Sequence, residues 1–346
     1  MVNKQGGGKR EKPVEELIRD FFDFWSANYK NDMGTHLAAI STLLESLNNF
    51  VFLDNCLKQN TSPTILDPAV GEGTVLVDFL SQLRGYEVRD ISLIINDLSK
   101  KMTTQAEANI QSAIYSRKIP SVARLLTYNI NTLPDVFENP ALHREYETEY
   151  KKLNKGGYAE FLMHRFRTNP RMLATDSVYD KVIDSVLEKF QVKPGSVDII
   201  FGSQFLDFVV GWARKEKMIE LFYKSLRKDG MLMLIGEDPP LFGYPYLYPT
   251  NPGKEYEKKR LLESCGKIFQ GMGALDLYFT LRQMEKSRGI HGELLVSIAP
   301  IDFLHNMYLF VLTKKDTADT KVSIKKPFLV THGSAYRSSY NAIIDL

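Results

Sequence analysis

The sequence predicts an α/β fold in which helices cover both faces of a doubly wound, mostly parallel sheet of seven strands. Short apolar segments alternate along the chain with longer segments whose apolar residues recur at helical spacing. The first strand leads directly into a glycine turn and a helix between Thr64 and Asp78, and the polar residues Asp97 and Asn129 follow the next two strands. Such alternation is typical of parallel strands that are joined by crossover helices.

The composition is that of a soluble globular protein. The chain has 346 residues, of which 44% are hydrophobic and 25% charged, and its net charge of +2 does not require a nucleic-acid partner. Cys56 and Cys265 are its two cysteines, and CxxC and HExxH spacings do not occur, so neither a disulfide framework nor a bound metal is predicted. No apolar run approaches the ~20 residues of a membrane span, and residues 1–12 lack the apolar core of a secretion signal. A cytoplasmic protein that does not enter a membrane is therefore predicted.

The individual elements follow from apolar spacing and from turn residues. The predicted strands are Thr64–Asp67, Leu93–Asn96, Leu125–Tyr128, Val197–Phe201, Met231–Ile235, Leu294–Ile298 and Met307–Thr313. The predicted helices cover 13–29, 36–48, a segment that Ser99 caps, 177–190, 215–227 and 273–286. A turn at Lys228–Gly230 is expected to precede the fifth strand.

The domain boundaries follow from these elements. Residues 1–12 are expected to form a flexible tail, 13–60 a helical segment, 61–315 the main domain and 316–346 a C-terminal tail with little pattern.

Two segments are longer than simple connections require. A helical insertion is predicted at about 135–175, and a loop rich in proline, glycine and tyrosine at about 238–253. Segments of this length often cover a substrate.

The glycine turn after the first strand marks a place where the backbone can approach a ligand. Gly71 and Gly73 can adopt positive φ and place no side chain between the backbone and the ligand. Asp97 stands 24 residues after Gly73, where an acid can accept hydrogen bonds from both ribose hydroxyls of a nucleoside. Ligands of open α/β sheets bind at the carboxyl ends of the strands, so these residues are expected to form one site.

The spacing Asp67-x-x-x-Gly71-x-Gly73 differs from the GxGxxG dinucleotide fingerprint and resembles that of Rossmann-like (class I) S-adenosylmethionine-dependent methyltransferases. The resemblance covers roughly residues 64–313. It implies that the glycine turn lies against the methionine part of S-adenosylmethionine, that Asp97 holds the ribose and that Asn129 meets the adenine amino group. The cofactor-binding residues predicted in this way are Asp67, Ala69, Gly71, Gly73, Asp97, Leu98, Asn129, Ile130, Ser203 and Gln204.

A narrower resemblance concerns the run Asp67-Pro-Ala, which is similar to the first motif of adenine-specific nucleic-acid methyltransferases. The segment 33–37 lies where those enzymes carry a glycine-and-threonine motif. The catalytic motif of those enzymes is an Asn or Asp, two prolines and an aromatic residue. The end of the fourth strand reads Phe201-Gly-Ser-Gln-Phe205 and does not contain this motif. Asp238-Pro239-Pro240-Leu241 is closer in letters, but it follows the fifth strand, and Leu241 replaces the aromatic residue that would stack on a flipped base.

The predicted catalytic residues are Glu237 and Asp238, as a general base or substrate anchor, although structural roles for these acids remain open. Phe205, Tyr244 and Tyr246 are predicted to bind substrate. His36 is interpreted as a structural histidine.

Together these patterns predict an enzyme that transfers a methyl group from S-adenosylmethionine to a small molecule or peptide. The sulfonium already activates the methyl group, so the reaction mainly needs positioning of the acceptor and, for some acceptors, a base. An adenine-N6 DNA or RNA methyltransferase is the alternative, and a non-catalytic cofactor-binding scaffold subunit is the second alternative. The sequence does not predict an oligomeric state.

Overall fold

The computed structural model describes most of the chain in ten segments. They cover residues 14–27, 33–47, 51–58, 60–130, 189–209, 212–238, 272–300, 306–315, 325–331 and 338–345. The strands are β1 (Thr64–Asp67), β2 (Asp90–Asn96), β3 (Ser121–Tyr128), β4 (Val197–Ser203), β5 (Leu226–Asp238), β6 (Gly292–Pro300), β7 (Asn306–Lys314), β8 (Lys325–Thr331) and β9 (Ser338–Asp345). The helices are α1 (Val14–Trp25), α2 (Gly34–Ser46), α3 (Val51–Lys58), α4 (Thr74–Gln82), α5 (Lys100–Tyr115), α6 (Trp212–Ser225) and α7 (Ala274–Arg288). None of these described helices is long and apolar enough to cross a membrane.

The strands form one sheet in the order β3-β2-β1-β4-β5-β7-β6-β9-β8. Strands β1 to β5 pair in parallel, and β7 is inserted antiparallel between β5 and β6. All seven predicted strands are present, and only β7 among them runs in the opposite direction. The predicted doubly wound, mostly parallel α/β fold is therefore confirmed.

The sheet continues beyond the seven predicted strands. β9 pairs antiparallel with β6, and β8 pairs with β9, so part of the predicted tail 316–346 belongs to the sheet. Pairing with β6 gives β9 a hydrogen-bond partner that local sequence patterns do not reveal, and β9 in turn pairs with β8.

Adjacent residues of the central strands face different helical layers. Leu93 and Ile199 pack on the face that α2, α3, α4 and α5 cover. Their neighbours Ile94 and Ile200 pack on the opposite face, with α6 and α7. Burial on both faces explains why these strands read as continuous apolar runs.

The predicted helices that lie within the described residues are present with small shifts in their ends, whereas α3 was not predicted. The helical insertion predicted at 135–175 lies outside the described residues, and so does the predicted helix 177–190 up to residue 188. The predicted turn at Lys228–Gly230 lies inside β5 as an irregularity. The partners of β4 jump there from Leu226 to Met231, and Asp229 adopts φ 58°.

Gly73 is predicted to be more sensitive to substitution than Gly71. Both residues have positive φ, 80° and 55°, and this conformation costs an alanine roughly 1–2 kcal/mol. A Cβ at Gly73 would also lie 3.0 Å from Cα and Cβ of Ala106, whereas a Cβ at Gly71 would meet nothing within 4 Å. Chemical denaturation should show that Gly73→Ala lowers the free energy of unfolding by about 1–3 kcal/mol more than Gly71→Ala does. Equal losses would contradict the close approach of the turn to α5.

Candidate functional site

The carboxyl ends of β1, β2 and β3 bring the predicted cofactor residues together. Asp67 is the last residue of β1, Asp97 follows β2, and Asn129 follows β3. The order of the strands reverses between β1 and β4, where ligands of doubly wound sheets bind.

The glycine turn is fixed to the end of β2 by backbone hydrogen bonds. The amide of Val70 donates to the carbonyl of Asn96 at 2.8 Å, and the amide of Gly73 donates to the carbonyl of Val70 at 2.9 Å. The amide of Gly71 donates to Oδ2 of Asp97 at 3.0 Å. The turn and the acid predicted to bind one nucleoside are therefore in direct contact.

Asp97 is held by one backbone amide on each carboxylate oxygen. Oδ1 accepts from the amide of Ser99 at 2.8 Å, and Oδ2 accepts from the amide of Gly71. A carboxylate has about four acceptor positions, so each oxygen can also accept a ligand hydroxyl. The pKa of Asp97 is raised to about 6, because burial and the charge of Asp23 raise it by more than the two amides lower it.

Asp67 is a second buried acid at the carboxyl ends of these strands, with 2% of its surface exposed. Its Oδ1 accepts from the amide of Ala69 at 3.1 Å. Burial raises the pKa of Asp67 well above its ordinary value, and the charge of Asp97 adds to the increase. Two carboxyl groups in such surroundings suit a ligand that offers hydroxyl donors and a positive charge.

Asn96 joins the three loops and was missed by the sequence analysis. Its Nδ2 donates to the carbonyls of Pro68 and Ile130 at 2.9 and 3.2 Å. Its Oδ1 accepts from the amide of Ile130 at 3.0 Å. The side chain is 1% exposed. A signal was present in the sequence, because an amide stands near the end of an otherwise apolar strand, directly before an acid.

Asn129 is exposed, and its amide nitrogen is engaged within the protein. Nδ2 donates to the carbonyl of Asp97 and to Oγ1 of Thr103, both at 2.9 Å. This orientation leaves Oδ1 as the atom that can accept from an amino group of a ligand. Leu98 and Ile130 are both half-buried nearby in the chain.

Helix α1 packs beside Asp97. Oδ1 of Asp23 accepts from Oγ of Ser99 at 2.5 Å. An apolar cluster joins α1 to the loops after β2 and β4. Its members are Ile18, Phe21, Phe22, Trp25, Met33, Leu37, Leu98 and Phe208. The N-terminal segment therefore forms part of the surroundings of the predicted ribose site.

A second polar group lies at the carboxyl ends of β4 and β5. Gln204 adopts φ 54°, an uncommon conformation for a residue with a side chain. Its amide donates to the carbonyl of Ile235 at 2.7 Å, and its Nε2 donates to Oε1 of Glu237 at 3.0 Å. His36 Nε2 lies 3.1 Å from the same oxygen.

Asp207 adds another buried acid to this group, with 3% of its surface exposed. Its Oδ1 accepts from the amide of Met272 at 3.0 Å. The pKa of Asp207 is raised to about 7, because burial and the charge of Glu237 raise it by more than Lys215 and the amide of Met272 lower it. Lys215 itself donates to the carbonyl of Leu206.

The remaining predicted site residues have different surroundings. Within the part of the chain that the structure describes, Oγ of Ser203 is buried without a hydrogen-bond partner. Phe205 is buried, and its ring packs against that of Phe222 at 5.6 Å, so its substrate role stays a prediction. Asp238 ends β5, but its side chain lies outside the described structure, as do Tyr244 and Tyr246.

No metal site was predicted, and the described residues include no group of three or more His, Cys, Asp or Glu that could hold a metal ion.

Several solved structures of methyltransferases are similar to this chain. The magnesium protoporphyrin IX methyltransferase from Synechocystis PCC 6803, with bound SAH (S-adenosylhomocysteine), is 9% identical, with a TM-score of 0.45 and coverage of 88% of this chain and 100% of that chain. The plantazolicin methyltransferase BpumL, in complex with SAH, is 11% identical, with a TM-score of 0.43 and coverage of 87% and 95%. An O-methyltransferase family protein from Burkholderia thailandensis is 11% identical, with a TM-score of 0.39 and coverage of 87% and 60%.

No protein-family model matches the sequence, and a comparison with curated proteins gives no match. At the identities and TM-scores given above, the similar structures assign no function to this chain.

Asn96→Ala is predicted to destabilise the protein strongly. It removes the partner of the Ile130 amide and of two carbonyls, and each group that stays buried and unpaired costs ~1–3 kcal/mol. We expect the free energy of unfolding to fall by roughly 2–4 kcal/mol in chemical denaturation. Asn109→Ala is the matched control, because exposed Asn109 makes one hydrogen bond, to the carbonyl of Glu72 at 2.8 Å. Similar losses in the two variants would contradict the role of Asn96 in joining the loops.

Proposed function

We propose that this chain is a methyltransferase that binds S-adenosylmethionine and methylates a small molecule or peptide. The observation that supports this most strongly is the Asp97 carboxylate, which the amides of Gly71 and Ser99 hold at the end of β2. It lies directly beside a turn in which two glycines have positive φ. This arrangement suits a nucleoside whose ribose hydroxyls donate to the carboxylate.

The proposed placement of the cofactor uses both buried acids. Asp97 accepts the ribose hydroxyls, and Oδ1 of Asn129 accepts from the adenine amino group. The glycine turn and Asp67 face the methionine part, whose ammonium group suits the buried carboxyl of Asp67. A dinucleotide fits the turn less well, because the chain lacks the third glycine of the GxGxxG spacing.

The proposed acceptor site lies beyond β4 and β5, next to Glu237. When bound, S-adenosylmethionine supplies a methyl group that its sulfonium has already activated. The protein therefore has to exclude water, align the acceptor and, where needed, remove its proton. At the ends of β4 and β5, His36 and Gln204 orient the carboxylate of Glu237. We assign the role of general base to it.

A small molecule or peptide is the preferred acceptor, because the chain is nearly neutral and the end of β4 lacks the motif of adenine-directed enzymes. Residues 202–205 read Gly-Ser-Gln-Phe, without the two prolines and the aromatic residue that would hold a flipped base. Binding of DNA or RNA that weakens steeply with added salt would favour the nucleic-acid alternative. Tight cofactor binding without methyl transfer to any class of acceptor would favour the scaffold alternative.

Asp97→Ala is predicted to abolish most of the affinity for SAH. The variant loses two hydrogen bonds to a charged group, each worth ~1.5–3 kcal/mol, so Kd should rise on the order of a hundredfold or more. Calorimetric titration with SAH measures this change. Asp78→Ala is the control, because Asp78 is half-buried on α4 and pairs with Lys118 at 2.9 Å, and we expect it to leave Kd unchanged. Failure of the wild type to bind SAH, or an unchanged Kd in Asp97→Ala, would disprove the cofactor assignment.

SAH binding is also predicted to weaken in acid. Ribose hydroxyls donate to the ionised carboxylate of Asp97, so a bound ligand lowers the pKa that burial has raised to about 6. Affinity should therefore be full above pH 6 and should fall as the pH decreases through 6, by up to about tenfold per pH unit. Calorimetry in a pH series tests this, and Asp97→Asn should bind weakly with a flatter profile. If that variant kept the full slope, a different group would be responsible.

A further inference from the structure

We infer that the acceptor of this site is a basic nitrogen, an amine or a related cationic group, which binds to Oε2 of Glu237. This inference rests on the proposed methyltransferase function and extends it to the chemical class of the substrate. It assigns His36, which the sequence analysis interpreted as structural, to the positioning of that carboxylate.

The two side chains that hold Glu237 contact the same carboxylate oxygen. His36 Nε2 lies 3.1 Å from Oε1, and Gln204 Nε2 donates to Oε1 at 3.0 Å. Oε2 is therefore the oxygen that neither side chain engages. Because Glu237 is only 7% exposed, its charge is poorly hydrated, and a ligand that donates a proton or carries a positive charge would stabilise it.

The groups around Glu237 make this part of the site rich in atoms that can accept hydrogen bonds. Asp207 is buried close enough to Glu237 for the charge of Glu237 to raise its pKa, and Lys215 partly offsets this effect on Asp207. Helix α2 contributes His36, whose Nδ1 lies 3.5 Å from Oγ1 of Thr35. The buried hydroxyl oxygen of Ser203 stands directly before Gln204 in the chain. A cationic nitrogen fits such surroundings better than a carboxylate or phosphate does.

Aromatic side chains also lie at the loop that follows β4, which carries Gln204 and Asp207. Phe208 follows Asp207 directly, is half-buried, and packs against Phe22 with ring centroids 4.9 Å apart. Half-buried aromatic rings attract cations through their faces. An ammonium group joined to a benzene ring through a CH2 group is therefore a suitable probe for this site.

The reaction for such an acceptor is balanced without any further reactant. The acceptor first loses an N–H proton to Oε2 of Glu237, and its lone pair then forms the bond to the methyl carbon. The bond between that carbon and sulfur breaks, and its electron pair stays on sulfur, which gives neutral SAH and the N-methyl product. The proton leaves Glu237 to solvent before the next turnover.

Three ligands that share a benzene ring test the inference: benzylammonium, benzyl alcohol and benzoate. Each is titrated into SAH-saturated protein at neutral pH, and Kd is measured by ligand-observed NMR. We expect benzylammonium to bind on the order of tenfold more tightly than benzyl alcohol, and benzoate to bind least tightly. Equal binding of the three ligands, tighter binding of the alcohol or of benzoate, or no binding of benzylammonium would overturn the inference.

Variants separate the role of Glu237 from that of His36. Glu237→Gln should reduce the affinity for benzylammonium to that for benzyl alcohol. His36→Leu should reduce it several-fold, and His36→Gln, which keeps an N–H donor, should restore most of it. If His36→Gln behaved as His36→Leu does, His36 would be a packing residue and the positioning role would be wrong. Asp78→Asn serves as the control without effect.

SAH binding distinguishes this inference from the proposed function. A variant that still binds SAH with wild-type affinity is folded, so any loss of benzylammonium binding belongs to the acceptor site. A wild type that binds SAH but shows no preference for the cation would refute the inference and leave the proposed function intact. A wild type that does not bind SAH would refute the proposed function itself.

Discussion

The hydrogen bonds from the amides of Gly71 and Ser99 to Asp97 are the interaction on which the candidate site depends. The Ser99 amide fixes Asp97 within the loop after β2, and the Gly71 amide connects that side chain to the loop after β1. Asn96 extends this connection to the loop after β3. Since buried backbone groups need partners, these polar side chains determine the conformations of the loops. The same atoms that shape the turn therefore also face the proposed ligand.

This arrangement has an energetic cost that a ligand can offset. The pKa of Asp97 is about 6, against 3.8 for an ordinary aspartate, and each pKa unit corresponds to 1.36 kcal/mol. At neutral pH the ionised carboxylate therefore costs the free protein about 3 kcal/mol relative to an ordinary aspartate. Hydroxyl donors or a nearby cation recover part of that energy on binding. Asp67, which is buried beside it, acts in the same direction. Buried, poorly hydrated acids of this kind are typical of sites that are completed by a ligand.

Much of the fold could be predicted, because buried parallel strands leave apolar runs that alternate with helices. The carboxyl-end positions of Asp67, Asp97 and Asn129 followed from the same pattern. β9 could not be predicted, since it pairs with β6, which is distant in sequence, and β8 in turn pairs with β9. The link between His36 and Glu237 also joins residues far apart in the chain, so no local spacing reveals it. A histidine alone in an apolar helix is more often structural, and only its contact changes that reading.

The N-terminal segment is part of the candidate site. Phe22 of α1 packs on Phe208, and Asp23 of α1 accepts from Ser99, the residue that also holds Asp97. α2 supplies His36 to the carboxylate of Glu237. The two proposed halves, for cofactor and acceptor, are thus each completed by a helix that precedes the sheet in sequence. Because these contacts involve polar atoms in both halves, a shift of the N-terminal helices would change the charge environment of both halves at once. Binding in one half is therefore expected to influence binding in the other.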